Sequence, residues 1–163
     1  MTKLTIVEGA DNVGKSTFIR SMLNEDERPY TILQHHSKPE EGEHPLWRYP
    51  ILLKNQLELA PKQIIWDRGP ISAFIYEGYY RKFLSAQFTA EIIEDLIKLV
   101  GSSNFEILLL DRDWKEVEPF HIQELAGSTN DPNGATLQNR KEIHAQWRLA
   151  ADIFSKYITY RKW

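Results

Sequence analysis

The sequence predicts an α/β fold: a mainly parallel five-stranded sheet flanked by helices. Three observations predict it. Short apolar runs alternate with helix-period segments, the pattern of strand–helix–strand units. The first run enters a glycine loop, "EGADNVGKST" (residues 8–17), that continues as a helix. A chain of 163 residues, 42% hydrophobic and 26% charged, suits one globular domain, residues 1–163, with a sizeable core.

Residues 4–7 form the first buried strand, and the helix behind the loop runs from Lys15 to about Asn24. "YTILQHH" (residues 30–36) is a second strand. Residues 45–59 have a helical pattern, with Pro50 in a first turn or at a kink. Residues 63–66 make a third strand ending at Asp67. One helix extends from Ile71 to about Leu84. Another follows Thr89 as N-cap and stops at Gly101 as C-cap residue. Its apolar positions Ile92, Ile93, Leu96, Leu99 and Val100 keep the helical period. Residues 105–110 are the fourth strand. Residues 124–137 are rich in turn formers and read as a mobile loop. Ile143, Trp147, Ala150 and Phe154 mark one face of a last helix. "YITYRKW" then reads as a fifth, edge strand, with continued helix as the alternative.

Composition narrows the function classes. A net charge of −3 disfavours a chain-wide role in binding nucleic-acid backbone. There is no cysteine, hence no disulfide, thiolate metal site or thiol nucleophile. No apolar run approaches the roughly 20 residues of a membrane span. The N-terminus lacks the order of a signal peptide. The expected location is cytoplasmic, the host cytoplasm if the gene is viral.

Gly9, Ala10, Asp11, Asn12, Val13, Gly14, Lys15 and Ser16 fit G-x-x-x-x-G-K-[ST], the phosphate-binding P-loop. The glycines let backbone wrap closely around phosphate oxygens. The following helix turns its N–H groups and positive end on the same anion. Lys15 is expected to reach the β- and γ-phosphates of ATP and Ser16 to ligate Mg²⁺, with Thr17 beside it. A GTPase would add D-x-x-G and [NT]-K-x-D; Asp67-Arg68-Gly69 has the wrong spacing for the first, and the second is absent.

"VEGADNVGKST" and "WDRGPISAFIYEG" together resemble thymidylate kinases and their nucleoside-monophosphate-kinase relatives. Glu8, Asp11, Lys15, Asp67, Arg68, Ser72, Tyr76 and Gly78 stand at the matching offsets. The resemblance covers roughly residues 1–100 of a chain shorter than typical members, a compact form such as a bacteriophage would encode. It implies a three-layer P-loop kinase fold with a small lid, about residues 115–141. It implies transfer of a phosphoryl group from ATP, with Mg²⁺, to a small-molecule nucleotide, most simply dTMP or a related pyrimidine. A homodimer is a further expectation.

On that resemblance Lys15 and Mg²⁺ serve the donor, and Arg68 serves the acceptor phosphate. Arg48, 20 residues before Arg68, supplies a second acceptor arginine, and Trp47 or Tyr49 beside it stacks on the base. Asp11 faces the acceptor sugar and Mg²⁺. Asp67 holds Mg²⁺ through water or orients Arg68. Glu8 either supports the loop or lines the acceptor site.

Two positions depart from the pattern. Asn12 stands where some members carry a P-loop arginine, so a catalytic cation is expected from the lid side. Arg140 is the first candidate, behind it Lys141, Arg112 and Lys115. Ala73 stands where a polar residue often contacts the base, and Gly69 replaces a tyrosine. His35, His36 and His44 lie among glutamates without a metal-ligand spacing. Asp111, ending the fourth strand, is either a Walker B carboxylate or a strand-end residue. The alternatives in function are a deoxynucleoside kinase on the same scaffold, with Glu8 or Asp67 as base, and a kinase of nucleic-acid ends or modified bases.

Overall fold

The computed structural model describes residues 1–80, 84–127 and 136–162. Five strands, β1 (Lys3–Glu8), β2 (Thr31–His35), β3 (Gln63–Asp67), β4 (Phe105–Asp111) and β5 (Ile158–Lys162), form one sheet in the order β2-β3-β1-β4-β5. All four pairings are parallel, so the expected mainly parallel sheet is wholly so among the described residues. The inner strands are near-continuous apolar runs, as strands covered on both faces must be. Leu4, Ile6, Ile64, Ile65, Trp66, Ile107, Leu109 and Leu110 are all buried. β2 and β5 carry more exposed residues and take the edges.

The helices are α1 (Lys15–Met22), α2 (Arg48–Glu58), α3 (Pro70–Tyr80), α4 (Ala86–Val100), α5 (Trp114–Gly127) and α6 (Leu137–Ile153). α1 packs on β1 and β3, α2 and α3 on α4, and α3 and α5 on α6. Pro50 sits in the first turn of α2, where its missing N–H breaks no helical bond. None of the described helices is long and apolar enough to cross a membrane.

Several boundaries differ from the sequence expectation. α4 starts at Ala86: the Ser85 hydroxyl caps it by accepting from Phe88 N–H at 3.0 Å. Thr89 lies inside the helix, its hydroxyl donating to Ser85 C=O at 3.0 Å. Of the stretch expected to be loop, residues 124–127 close α5 and Leu137 opens α6; residues 128–135 lie outside the described residues. Residues 81–83 of the long helix expected after Ile71 lie outside them too.

The fifth strand is present, held at its end by Asp111. This buried carboxylate accepts from Tyr160 O–H and from Arg148 Nε at 3.2 Å. Arg148 also donates to Asp113 at 2.8 Å, and Lys162 pairs with it at 2.9 Å. Asp111 thus ties α6 and β5 to β4.

The chain leaves β1 for one side of the sheet, fills β2 and β3 there, then crosses back beyond β1 to β4. The order reverses at β1, so a crevice opens at the carboxyl ends of β1 and β3. The glycine loop follows β1, and Asp67-Arg68 ends β3.

Candidate active site

The loop after β1 is built on backbone that side chains resist. Gly9 has φ +148°, and a Cβ there would lie 2.6 Å from Leu110 C=O. Gly14, at φ +96°, precedes the first turn of α1. Lys15 is buried beneath the loop, its Nζ donating to Ala10 C=O at 3.4 Å. Burial first, and then the charge of Arg68, lowers its pKa to about 8; Asp11, Asp67 and Glu8 oppose this. Ser16 and Thr17 are exposed in the first turn of α1.

The end of β3 meets this loop through Glu8. Its side chain is fully buried and accepts from Gly69 N–H at 2.9 Å, Ser72 N–H at 3.0 Å and Ser72 O–H at 2.5 Å. Burial raises its pKa, against the pull of Ser72, Arg68 and Gly69. The bonds pin the start of α3 to the end of β1. Between them Arg68 is left-handed, φ +74°, with its N–H on Val7 C=O at 2.9 Å. Its Nη2 donates to Asp11 Oδ1 at 2.5 Å. Its Nη1 lies 3.4 Å from Gly9 C=O, Ser72 Oγ and Tyr76 OH.

Asp67 directs Oδ2 to His35 Nδ1 at 2.8 Å. Its Oδ1 is buried, with no hydrogen-bond partner among the described residues.

A cavity of about 350 Å³ opens beside Arg68. Asp11, Arg68, Ser72, Ala73, Tyr76 and Glu77 line one side, and residues 36–39 with Arg48 and Tyr49 line the other. The structure therefore brings together Asp11, Arg68, Ser72 and Tyr76, with Arg48 opposite. Arg48 directs three N–H groups to protein oxygens: Ser37 C=O at 2.8 Å, Pro45 C=O at 3.3 Å and Tyr49 OH at 3.0 Å. It holds the segment between β2 and α2 over the cavity.

Other expected residues sit elsewhere. Trp47 is 58% exposed, lies outside that cavity and stacks on His44 in a neighbouring hollow on the outer side of α2. Tyr49 is buried against His36 and Trp66, and its hydroxyl donates to Gly69 C=O at 3.0 Å. Arg140, in the first turn of α6, donates to Glu124 at 2.8 Å and to His121 Nδ1 at 3.1 Å.

Three histidines take places that the sequence reading did not assign; His36 and His44 are singled out there only as lacking a metal-ligand spacing, and His121 is not singled out at all. His44 Nδ1 accepts from Leu46 N–H and Trp47 N–H, fixing the entry to α2. His36 lines the cavity, its pKa lowered to about 4 by burial and by Arg48. His121 packs on Trp114 and accepts from Arg140. The "HHSK" run and the histidine at a buried position of α5 were the available signals. Among the described residues no group of three His, Asp or Glu side chains is placed to hold a metal ion.

Sheet order, loop and crevice define the P-loop kinase fold. The chain overlays on a thymidylate kinase structure from Ehrlichia chaffeensis with a TM-score of 0.53 at 12% identity, over 99% of this chain and 90% of that one. It overlays on polyphosphate kinase 2 from Arthrobacter aurescens TC1 with a TM-score of 0.61 at 14% identity, over 99% of this chain and 60% of that one. For a deoxyadenosine kinase from M. mycoides the TM-score is 0.47 at 14% identity, over 98% and 89%. No protein family model matches the chain, and no curated protein matches it by sequence.

Proposed function

We propose that the protein transfers the γ-phosphoryl group of ATP to the 5′-phosphate of a nucleoside monophosphate, releasing ADP and the nucleoside diphosphate. One observation carries this reading. Arg68 lies between the P-loop, which it touches through Asp11 and Gly9, and the cavity, which it lines. A cation at that seam can hold an acceptor phosphate against a donor phosphate on Lys15, which is what phosphoryl transfer between two anions needs.

The remaining groups fit. The acceptor phosphate oxygen is already anionic, so it attacks the γ-phosphorus without a strong base while the bond to the β-phosphate oxygen breaks. Glu8, buried beneath three donors, is ill placed to deprotonate a hydroxyl, which favours a monophosphate over a nucleoside acceptor. Ser16 and Asp67, with its buried and unpartnered Oδ1, are the residues for Mg²⁺. When bound, that ion neutralises charge developing on the phosphates. Arg48 lines the far wall as a second acceptor cation. Arg140, at the start of α6 in the segment the sequence reads as the lid, is the candidate for the further cation.

The dTMP expectation follows the outline of the Asp67-Arg68 motif, whose base-contact position is Ala73. It therefore leaves the base open. The test is ADP release from ATP and Mg²⁺ with each dNMP, nucleoside and oligonucleotide, and with inorganic polyphosphate replacing ATP in a parallel series. Acceleration by a dNMP supports the reading; acceleration only by a nucleoside or an oligonucleotide overturns it. The polyphosphate arm is included because of the overlay on polyphosphate kinase 2.

A further inference from the structure

Asp67 ends β3 between two register partners, Val7 on β1 and His35 on β2. Paired residues of neighbouring strands set their side chains on one face of the sheet, about 4.8 Å apart. Val7 is apolar and fully buried, so its side chain offers the carboxylate no hydrogen bond. His35 offers a ring nitrogen: Nδ1 lies 2.8 Å from Asp67 Oδ2. A carboxylate accepts and does not donate, so the proton of this bond sits on Nδ1. The backbones are tied as well, with His36 N–H donating to Asp67 C=O at 2.9 Å.

This bond gives the two oxygens of Asp67 different surroundings. The torsion that turns an aspartate carboxyl group is broad and roughly two-fold, so an unheld group can exchange its oxygens. His35 removes that freedom. Oδ2 stays with the imidazole, whose side chain is 67% exposed. Oδ1 stays buried, and no donor among the described residues meets it. A buried carboxylate oxygen left in that state opposes folding. Mg²⁺ is a fitting partner, because it binds through one or two carboxylates and keeps several waters, whose O–H groups donate.

We infer that His35 is a positioning residue for the Mg²⁺ site, holding Oδ2 so that Asp67 keeps Oδ1 turned inward for the ion or a water of its shell. The inference rests on the assignment of Ser16 and Asp67 to Mg²⁺ above and is independent of the acceptor. An exposed histidine–carboxylate pair adds little to stability. Its effect is therefore sought in metal binding.

The experiment measures the ADP dissociation constant by titration calorimetry, once in EDTA and once in saturating Mg²⁺. The ratio of the two gives the Mg²⁺ affinity of the protein–ADP complex relative to that of free ADP, which is common to all variants. Native protein, His35→Ala, His35→Asn, Asp67→Asn and the double variant His35→Ala with Asp67→Asn are compared. Thermal unfolding without nucleotide is the folding control.

His35→Ala and Asp67→Asn should each lower the ratio about tenfold or more, with ADP binding in EDTA unchanged. The asparagine amide donates from nearly the place of Nδ1, so His35→Asn should stay within about threefold of native. In the Asp67→Asn background, His35→Ala should lower the ratio no further. A native ratio in His35→Ala overturns the proposal, whether or not ADP binding in EDTA falls. So does a His35→Asn ratio no better than that of His35→Ala, or a further loss in the double variant. A native ratio in Asp67→Asn removes Asp67 from the Mg²⁺ site and the inference with it. No acceptor is present in these titrations. If no dNMP accelerates ADP release, the monophosphate reading fails while the role of His35 stands.

Discussion

Arg68 Nη2 and Asp11 Oδ1 meet at 2.5 Å, joining the end of β3 to the middle of the phosphate loop across 57 residues of sequence. On the proposed reading the pair couples the donor side of the crevice to the acceptor side. Arg68→Ala should lower kcat/KM for the monophosphate by about 10²–10³ and leave the KM for ATP within a few-fold. Asp11→Asn keeps the cation but frees it, so its effect should be smaller. Steady-state kinetics with each substrate varied in turn check both.

Glu8 sets the position of Arg68 through Gly69 and Ser72. Glu8→Gln replaces one accepting oxygen by an NH₂ group beneath three donors. The expected destabilisation is about 1–3 kcal/mol. Burial raises the pKa of Glu8 in the fold, so above pH 4.5 the folded chain binds more protons than the unfolded chain. Its contribution therefore falls as pH rises from 4.5 through the raised pKa. The Tm difference between native protein and variant should shrink from pH 4 to pH 8.

Lys15 has the opposite sign. Its folded pKa is about 8 against 10.5 in the unfolded chain, so between those values the unfolded chain binds more protons. Without nucleotide, stability should rise across that window, and below pH 8 the buried ammonium opposes folding throughout. Lys15→Met should raise the Tm of the nucleotide-free protein at pH 7 by about 2–8 °C while abolishing transfer. The gain should fade by pH 10.5. Thermal scans of both proteins over pH 6–10.5 check the window.

Gly69 stands where related motifs place a tyrosine. A Cβ there would lie 2.8 Å from Ile6 Cγ2. Gly69→Ala should destabilise by about 1–3 kcal/mol. Combined with Ile6→Ala it should lose less than the sum of the two single variants. Urea titration of the four proteins measures the coupling.

The sheet was legible where physics leaves a strong local trace. The inner strands are short apolar runs, and the loop has two glycines with backbone that other residues resist. The cap of α4 was not: Ser85 and Thr89 are both hydroxyl residues, and Thr89 satisfies its own hydroxyl four residues back, which only the folded helix reveals. Trp47, the residue before α2, and Tyr49, in its first turn, are two residues apart and line different hollows, which their spacing alone does not decide. Arg140 takes its partners from α5, a non-local pairing that no spacing encodes. Glu77 is buried at 4% exposure, which its sequence does not announce because a charged residue in a helix usually reads as surface.

The left-handed backbone of Arg68 bears on how this chain could change. Side chains with a Cβ resist that conformation by roughly 1–3 kcal/mol, and glycine does not. Folding alone would select glycine at position 68, yet the chain retains arginine there and surrounds it with Glu8, Asp11 and Ser72. Natural selection for aim and selection for durability pull this one residue in opposite directions. A lineage that no longer needed the guanidinium would gain robustness by losing it.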